Sequence, residues 1–298
     1  MIKIGVIILN WNNYYDTKKC IDSILKYKLS EEVNIQIYLI DNNSDDKSGE
    51  QLSAEFDKKV VYFNTGNNLG YTGGNNFGIK KAYENNCEFT LILNNDLVIE
   101  NFDYLIKSMI AVYKSNSNIA IIGFDIFNYK TRNLLKSHGT ADIFFNRLLN
   151  INTAKIVLKK DNILYSIQRT VCGCAIAFRK DKLKEIGLFD ENFFMYAEEH
   201  DICLRAIVRG FKVARIHSEN FKIYRNIDPI SSNQLIWDYN PRNMITTYRK
   251  NLNGLRKIFF ISYQIIIYIR QIIQFLFRGE FMISYKILKS TINGLFSK

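Results

Sequence analysis

Residues 4–9, Ile4-Gly5-Val6-Ile7-Ile8-Leu9, form an uninterrupted apolar run that leads directly into Asn10-Trp11-Asn12. Such a run is typical of a strand that is buried on both faces of a parallel sheet. Apolar residues then recur at helical spacing over residues 17–29, and a second apolar strand is predicted at residues 35–40. The amino-terminal sequence therefore predicts a strand–helix–strand unit.

The same alternation continues along the chain, apart from residues 129–166, which show no regular pattern. Further strands are predicted at 60–63, 89–93, 119–124, 171–178 and 212–216, and further helices at 73–86, 102–113, 180–186 and 198–209. This order of elements predicts a doubly wound α/β domain with a mainly parallel sheet.

Length and charge divide the chain into two parts. With 298 residues and 47% hydrophobic content, it fits one large domain or a domain with an appendage. The net charge is +11, and the last 49 residues, with eight basic residues and one acid, carry +7 of it. We predict a main domain over residues 1–250 and a basic helical tail over residues 251–298. Because the basic excess lies in an Ile- and Phe-rich tail, nucleic acid is not a predicted partner.

The cysteines indicate a reducing compartment. There are five of them, an odd number in a long chain, which does not suit a disulfide framework. Strand alternation would put Cys172 and Cys174 on one face, and without a second pair at zinc-site spacing we expect packing thiols. The apolar run at residues 4–9 is too short for a signal peptide, so a cytoplasmic location is predicted.

Polar side chains follow the predicted strands at the points where those strands end. The three clusters are Asn10-Trp11-Asn12, Asp41-Asn42-Asn43-Ser44 and Asn94-Asn95-Asp96. Ligands of doubly wound sheets bind beyond the carboxyl ends of the strands. The clusters therefore predict one site that is built from several loops.

Asp96 is the candidate metal ligand in these clusters. A carboxylate delivered to the sheet edge is a hard oxygen ligand that suits Mg²⁺ or Mn²⁺ shared with a diphosphate. An Asx turn that closes the strand is the simpler interpretation of Asn94-Asn95-Asp96 taken alone.

A glycine-rich segment, residues 67–78, precedes one predicted helix. Its glycines, at positions 70, 73, 74 and 78, allow close backbone approach and leave N–H groups free at a helix start, where a phosphate or sugar could bind. An ordinary flexible loop fits equally well. The spacing matches neither a P-loop nor a dinucleotide fingerprint, so an oxidoreductase is not predicted.

An acidic cluster, Glu198-Glu199-His200-Asp201, follows the aromatic run Phe193-Phe194-Met195-Tyr196. Acids at a helix start interact favourably with the helix dipole, which would explain them without any catalytic role. Alternatively, a carboxylate among acids and aromatics has a raised pKa that suits a general base.

Taken together, these motifs resemble glycosyltransferase family 2 over roughly the first 250 residues. The matching segments are 6–12, 41–46, 68–76, 93–96, 187–191, 198–205 and Arg242-Asn243. The resemblance implies the GT-A fold, and the residues in these motifs are similar to those of rhamnosyltransferase-like members.

By position, the resemblance implies that Asp41 hydrogen-bonds the pyrimidine base, that Asp96 is the metal ligand, and that Glu199 is the catalytic base. It implies a nucleotide-diphospho-sugar donor and Mg²⁺ or Mn²⁺ as cofactor. The positions that border the donor are Asn10, Asp41, Asn43, Gly70, Gly73, Asn75 and Asn95.

Three departures from the family pattern affect these expectations. Asn94 stands where the metal motif often has a first Asp, and Glu199 replaces the commoner Asp of the base motif. His217 comes earlier than the family's metal-binding His, so we expect a solvated loop histidine there.

Residues 258–277 predict an amphipathic helix. The run is about long enough to span a bilayer, but Arg270 near its centre favours a helix that lies in the membrane interface. Packing on the main domain or on a partner subunit is the alternative. By analogy, membrane contact would suit a lipid-linked acceptor at the inner face of the membrane.

The sequence thus predicts an inverting glycosyltransferase that transfers a sugar to a hydroxyl of a glycan or lipid-linked acceptor. A catalytically degenerate nucleotide-sugar-binding or scaffold protein at the membrane is the alternative. The acids retained at positions 41, 96, 199 and 201 favour the enzyme.

Overall fold

The computed structural model describes residues 1–135, 155–158, 163–226 and 234–296. At its centre is a nine-stranded sheet. Its strands are β1 (Ile2–Asn10), β2 (Val33–Asp41), β3 (Val60–Asn64), β4 (Phe89–Asn94), β6 (Ile119–Phe124), β8 (Lys155–Leu158), β9 (Ile163–Gln168), β10 (Ala175–Arg179) and β11 (Lys212–His217). Their spatial order is β3-β2-β1-β4-β10-β6-β11-β9-β8.

The predicted α/β class is confirmed, with a mixed strand direction. β1 pairs in parallel with β2 and β4, and β6 pairs in parallel with β11. β10 runs antiparallel between β4 and β6, and β9 runs antiparallel to β11. The apolar pattern of a buried strand is the same in either direction, so the sequence pattern did not reveal these two reversals.

A second sheet of three strands brings distant residues to the main sheet's edge. It consists of β5 (Leu97–Glu100), β7 (Ile126–Asn128) and β12 (Lys222–Arg225), in the order β5-β12-β7. In the β5–β12 ladder Arg225 pairs with Leu97, the residue after Asp96. The sequence analysis missed all three strands because each has only three or four residues.

Helices cover both faces of the main sheet. They are α1 (Tyr14–Leu25), α2 (Ser48–Glu55), α3 (Gly70–Glu84), α4 (Phe102–Ser115), α5 (Lys180–Ile186), α6 (Glu198–Val208), α7 (Leu235–Asn251), α8 (Gly254–Phe277) and α9 (Phe281–Phe296). One face of the sheet packs mainly against α1 and α4, and the other against α3, α5 and α6.

Three predicted elements have wrong boundaries. The helix predicted at residues 17–29 is α1, Tyr14–Leu25. α3 begins at Gly70 rather than at residue 73. The strand predicted from residue 171 begins at Ala175, because residues 173 and 174 form a turn. The stretch 129–166 was predicted to be irregular. In the structure it contains the turn after β7, all of β8 and part of β9. Residues 136–154 and 159–162 lie outside the described residues.

The carboxyl-terminal helices α8 and α9 pack on α7. Met244 and Ile245 of α7 form a buried cluster with Tyr268 of α8 and with Ile283 and Ile287 of α9. α7 and α9 approach very closely at Gly294, where a Cβ would lie 2.8 Å from the carbonyl oxygen of Arg242. The predicted tail is therefore a pair of helices seated on the preceding helix.

The opposite faces of α8 and α9 expose many large apolar side chains. Ile266 is 64% exposed and Met282 is 66% exposed. By length and composition α8, with 24 residues, could cross a membrane. The two helices present an apolar surface of the kind that marks contact with a membrane or another protein.

Helix α3 lies close to β1 because it has glycine at the contact. A Cβ at position 78 would lie 2.6 Å from Ile7 Cγ2 and 3.1 Å from Ile40 Cγ1. In an open helix, Gly→Ala stabilises by about 0.5–1 kcal/mol. We expect Gly78→Ala instead to lower the free energy of unfolding, by about 1–3 kcal/mol, because the methyl overpacks the core. Urea denaturation measures the change; Lys80→Ala, at an exposed position of the same helix, is the control, and a stabilised Gly78→Ala would contradict the contact.

Candidate functional site

Asn10, at the end of β1, is the centre of a buried hydrogen-bond network. Its side chain is fully buried, and Nδ2 donates to Asp41 Oδ1 at 2.9 Å and to Ser48 Oγ at 2.9 Å. Asn10 Oδ1 accepts from the hydroxyl of Thr17 at 2.7 Å. One amide therefore connects the ends of β1 and β2 with the helices α1 and α2.

Asp41 is the second centre of this network. Its carboxylate is fully buried and also accepts from Asn64 Nδ2 at 2.9 Å and from the backbone N–H of Ser44 at 3.0 Å. Asn95 Nδ2 donates to Thr17 Oγ1 at 2.9 Å and so joins the end of β4. Contact of Asp41 with a pyrimidine base stays a prediction; in this structure both carboxylate oxygens accept internal hydrogen bonds.

Asn42 holds the loop that precedes α3. Its Nδ2 donates to Asn68 Oδ1 at 3.0 Å and to the Gly70 carbonyl at 3.1 Å, and its Oδ1 accepts from the Leu69 N–H at 3.0 Å. The next residue, Asn43, is exposed and has a left-handed backbone with φ of 61°. Asn43 therefore lies on the outer side of a turn that Asn42 anchors.

The start of α3 is capped by protein. The carbonyl of Phe194 accepts from Tyr71 N at 2.8 Å and from Thr72 N at 3.4 Å. Gly70 makes this approach possible, because a Cβ there would lie 2.4 Å from that carbonyl oxygen. Gly73 packs against Leu69. These two N–H groups therefore donate to the protein itself. The role of Gly70 and Gly73 beside a donor sugar stays a prediction.

A cavity of about 320 Å³ opens between α3, the strand ends and α7. Its volume lies at the lower end of the range of small-molecule sites. The lining residues are Leu9, Trp11, Asn13, Asn42, Asn68, Gly70, Tyr71, Asn75, Leu93, Asn94, Asn95, Phe194, Met195 and Leu235. None of these lining side chains is charged.

Two polar atoms in the cavity wall lack a hydrogen-bond partner within the described part of the chain. They are Asn75 Oδ1 and Asn94 Oδ1, and both are buried. An unsatisfied buried acceptor typically costs about 1–3 kcal/mol. Both oxygens can accept hydrogen bonds from a ligand, and Asn94 Oδ1 can also bind a cation.

Asp96 forms an ion pair at the edge of this cavity. Arg225 Nε donates to Asp96 Oδ2 at 2.7 Å, and the two side chains are 35% and 22% exposed. Asp96 Oδ1 is buried and has no partner among the described residues. Arg225 therefore binds one of the two carboxylate oxygens of the predicted metal ligand.

The oxygen atoms at this edge fit a divalent cation that takes its remaining ligands from a diphosphate. Asp96 Oδ1 and Asn94 Oδ1 are hard donors of the kind that Mg²⁺ and Mn²⁺ prefer. Across the described ranges, no group of three or more His, Cys, Asp or Glu side chains is placed to hold a metal ion. The described residues alone therefore offer an incomplete ligand set.

His217 lies in a separate hydrogen-bonded group. Its Nδ1 is 2.9 Å from Asp125 Oδ2, and its Nε2 is 2.8 Å from Ser166 Oγ. The expectation of a solvated loop histidine is wrong, because both ring nitrogens have protein partners.

The acidic cluster begins α6, with Glu199 beside His200 and Glu198. His200 Nδ1 lies 3.0 Å from Glu199 Oε1. Glu198 is buried and hydrogen-bonds Glu199. Burial raises the pKa of Glu198 well above its usual range, and the charge of Glu199 raises it further. The raised pKa therefore favours the protonated form of Glu198.

The loop before α6 has an unusual backbone. Tyr196 and Ala197 both have φ of 66°, a left-handed conformation that side chains disfavour. Asn243 of α7 donates to the carbonyls of Met195 at 3.0 Å and of Tyr196 at 2.8 Å. The Arg242-Asn243 motif thus holds the segment that carries Glu199.

The turn at residues 172–174 connects this segment with the end of β4. The carbonyl of Cys174 accepts from Asn94 N at 2.8 Å, and that of Gly173 accepts from the Tyr71 hydroxyl at 2.7 Å. A Cβ at Gly173 would lie 3.4 Å from Glu199 Cβ. The predicted base and the predicted metal motif are therefore neighbours across one turn.

The sulfurs of Cys172 and Cys174 lie 3.1 Å apart, and their hydrogen bond lowers the pKa of Cys172 to about 7. All five cysteines are free.

The structure brings most of the predicted residues together, in different roles. Gly70, Asn75 and Asn95 line the cavity, whereas Asn10, Asp41 and Gly73 are buried behind the lining residues. The sequence analysis missed several lining residues and the partner of Asp96. These residues are Trp11, Asn42, Phe194, Leu235 and Arg225. Trp11 and Asn42 lie inside motifs that were noticed, so strand-end position could have found them.

The family model for glycosyl transferase family 2 matches residues 5–187. The chain belongs to this family, and the resemblance seen in the sequence is confirmed. It is 27% identical to the low-salt glycan biosynthesis hexosyltransferase Agl10 of Haloferax volcanii, over 68% of this chain and 61% of that protein. It is 26% identical to the rhamnosyltransferase WbbL of Escherichia coli, over 50% and 58%. The matches thus span about three fifths of these relatives.

Solved structures confirm the GT-A fold. TarS of S. aureus in complex with UDP-GlcNAc aligns with a TM-score of 0.59 and 16% identity, covering 86% of this chain and 69% of that one. The mannosyltransferase PcManGT of Pyrobaculum calidifontis, in complex with GDP-Man and Mn²⁺, aligns with a TM-score of 0.60 and 11% identity, covering 99% and 87%.

The raised pKa of Glu198 makes a prediction about stability. Above its usual pKa of 4.5 the unfolded chain loses this proton while the folded protein keeps it, so stability falls as pH rises through that window. We expect Glu198→Gln to remove this fall, so that its unfolding free energy relative to the wild type increases with pH. Urea denaturation between pH 5 and pH 8 measures it. Glu185→Gln, at an exposed position, should keep the wild-type slope, and equal slopes for all three proteins would refute the assignment.

Proposed function

We propose that the protein is an inverting glycosyltransferase that moves a sugar from a nucleotide-diphospho-sugar to an acceptor hydroxyl, with Glu199 as the general base. The observation that carries this proposal is the 172–174 turn, which contacts Asn94 at the metal motif and approaches Glu199 at the base motif. A donor bound in the adjacent cavity would have both groups at its reacting end.

Glu199 would take the proton of the acceptor hydroxyl while the acceptor oxygen bonds to the anomeric carbon. The bond from that carbon to the diphosphate oxygen breaks at the same time, and the nucleoside diphosphate leaves with the electron pair. Attack from the face opposite the leaving group inverts the anomeric centre. Glu198 supports this role, because its raised pKa favours the protonated form, which can donate a hydrogen bond to the Glu199 carboxylate.

Asp96 and Asn94 would hold Mg²⁺ or Mn²⁺ through their unpartnered oxygens. When bound, the cation would supply positive charge to the departing diphosphate. Mn²⁺ in PcManGT supports this proposal.

The donor and acceptor are proposed from the relatives. A hexose or rhamnose donor is supported by the names of Agl10 and WbbL. We propose a glycan or lipid-linked acceptor of surface polysaccharide synthesis. The apolar face of α8 and α9 supports peripheral attachment to the inner face of the cell membrane, because Arg and Lys side chains accompany it.

Replacing the base tests the proposal. We expect Glu199→Gln to lower transfer by about 10²–10⁴-fold, because it removes the proton acceptor, and to leave donor affinity unchanged. The assay measures release of nucleoside diphosphate from a panel of nucleotide-sugars with Mn²⁺, and calorimetry measures binding; Glu185→Gln is the control. Full activity of Glu199→Gln would exclude it as the base. If the wild type bound donors without turnover, the degenerate scaffold protein would be the better description.

Membrane attachment is tested with vesicles. We expect Ile266→Glu, on the exposed face of α8, to lower cosedimentation with phosphatidylglycerol-containing vesicles by roughly tenfold or more, because an inserted isoleucine contributes roughly 1.5–3 kcal/mol. Val208→Glu, at an apolar position on α6 that is also more than half exposed, is the matched control. Equal sedimentation of both variants and the wild type would contradict attachment through this face.

A further inference from the structure

Arg225 is fixed beside Asp96 by the small sheet. It ends β12, between β5 on one side and β7 on the other, and its carbonyl accepts from the Tyr129 N–H at 2.9 Å. Its Nε donates to Asp96 Oδ2 at 2.7 Å. Because both the backbone and the Nε of Arg225 are held, its guanidinium is preorganised beside Asp96.

A diphosphate bound in the cavity would need a positive charge from a residue outside the cavity lining. None of the described residues that line the cavity is charged. The first N–H groups of α3 already donate within the protein, that of Gly70 to Asn68 Oδ1 and those of Tyr71 and Thr72 to the Phe194 carbonyl. A diphosphate carries at least two negative charges, and burying them without a partner is very costly.

We infer that Arg225 binds the diphosphate of the donor directly and shares with a divalent cation the task of neutralising it. This inference rests on the proposed function, since it assigns a residue to the leaving group of that reaction. A guanidinium has five N–H donors in a planar fork, and the bond to Asp96 uses one of them. The fork geometry matches two phosphate oxygens.

Arg225 and a cation would also compete for Asp96. The arginine occupies Oδ2, and Oδ1 has no partner in the described residues. Chelation of metal should therefore weaken diphosphate binding only in part, and loss of the arginine should free Asp96 for metal. During sugar transfer, the fixed charge of Arg225 stabilises the diphosphate as its bond to the anomeric carbon breaks.

The test measures binding of UDP, GDP and dTDP by calorimetry, with EDTA and with Mn²⁺. In EDTA we expect Arg225→Ala to bind the preferred diphosphate about 10–100-fold more weakly than the wild type, because a charge-assisted bidentate contact is lost. Arg225→Lys should recover part of the affinity. Arg209→Ala removes an equal charge from the exposed end of α6 and should match the wild type.

Two further measurements separate direct contact from damage to the site. The matching nucleoside without phosphates should bind Arg225→Ala and the wild type equally, because the arginine acts on the phosphates. Mn²⁺ alone, followed by electron paramagnetic resonance, should bind Arg225→Ala at least as tightly as the wild type. Unchanged diphosphate affinity of Arg225→Ala in EDTA, or an equal loss of nucleoside affinity, would overturn the inference. If no nucleoside diphosphate bound the wild type in either condition, the proposed function itself would fall.

Discussion

The buried hydrogen bond between Asn10 and Asp41 is the constraint on which the donor side of the site depends. Both side chains are fully buried, and every nearby strand end is tied to one of them: β3 through Asn64, and β4 through Asn95 and Thr17. A buried carboxylate persists only where donors surround it, so the loops must keep this arrangement for the sheet edge to exist. The cavity wall is the outer surface of that network.

The side of the site that carries Glu199 is held by different means. Tyr196 and Ala197 keep left-handed backbones because Asn243 binds the loop from α7 and Phe194 caps α3. Strained backbone of this kind persists only where the surroundings fix it. The two halves meet at the turn of residues 172–174, so the distance between metal motif and base depends on three residues that belong to neither motif.

Sequence reasoning could locate the site but could not assign every role. The apolar run before Asn10 and the strand before Asp96 predicted the sheet edge, because a strand's end is visible in its own residues. Arg225 was missed because it comes from a short strand 129 residues from Asp96, and only the ladder between β12 and β5 brings them together. The glycine-rich segment fitted a ligand site and an ordinary loop equally well, whereas in the structure the Phe194 carbonyl fills the space beside Gly70. The residue types of two distant segments do not reveal that their backbones are in contact.

The seating of α9 on α7 at Gly294 also affects the order in which the site matures during synthesis. Domains form as the chain emerges from its amino terminus. Asn10, Asp41 and Asn95 can complete their network once β1 to β4 have been made. The apolar face of α7, with Met244 and Ile245, is covered only when α9 has been synthesised, about two hundred residues later. On a ribosome, the network around Asn10 and Asp41 would be complete long before α7 holds the loop that precedes Glu199.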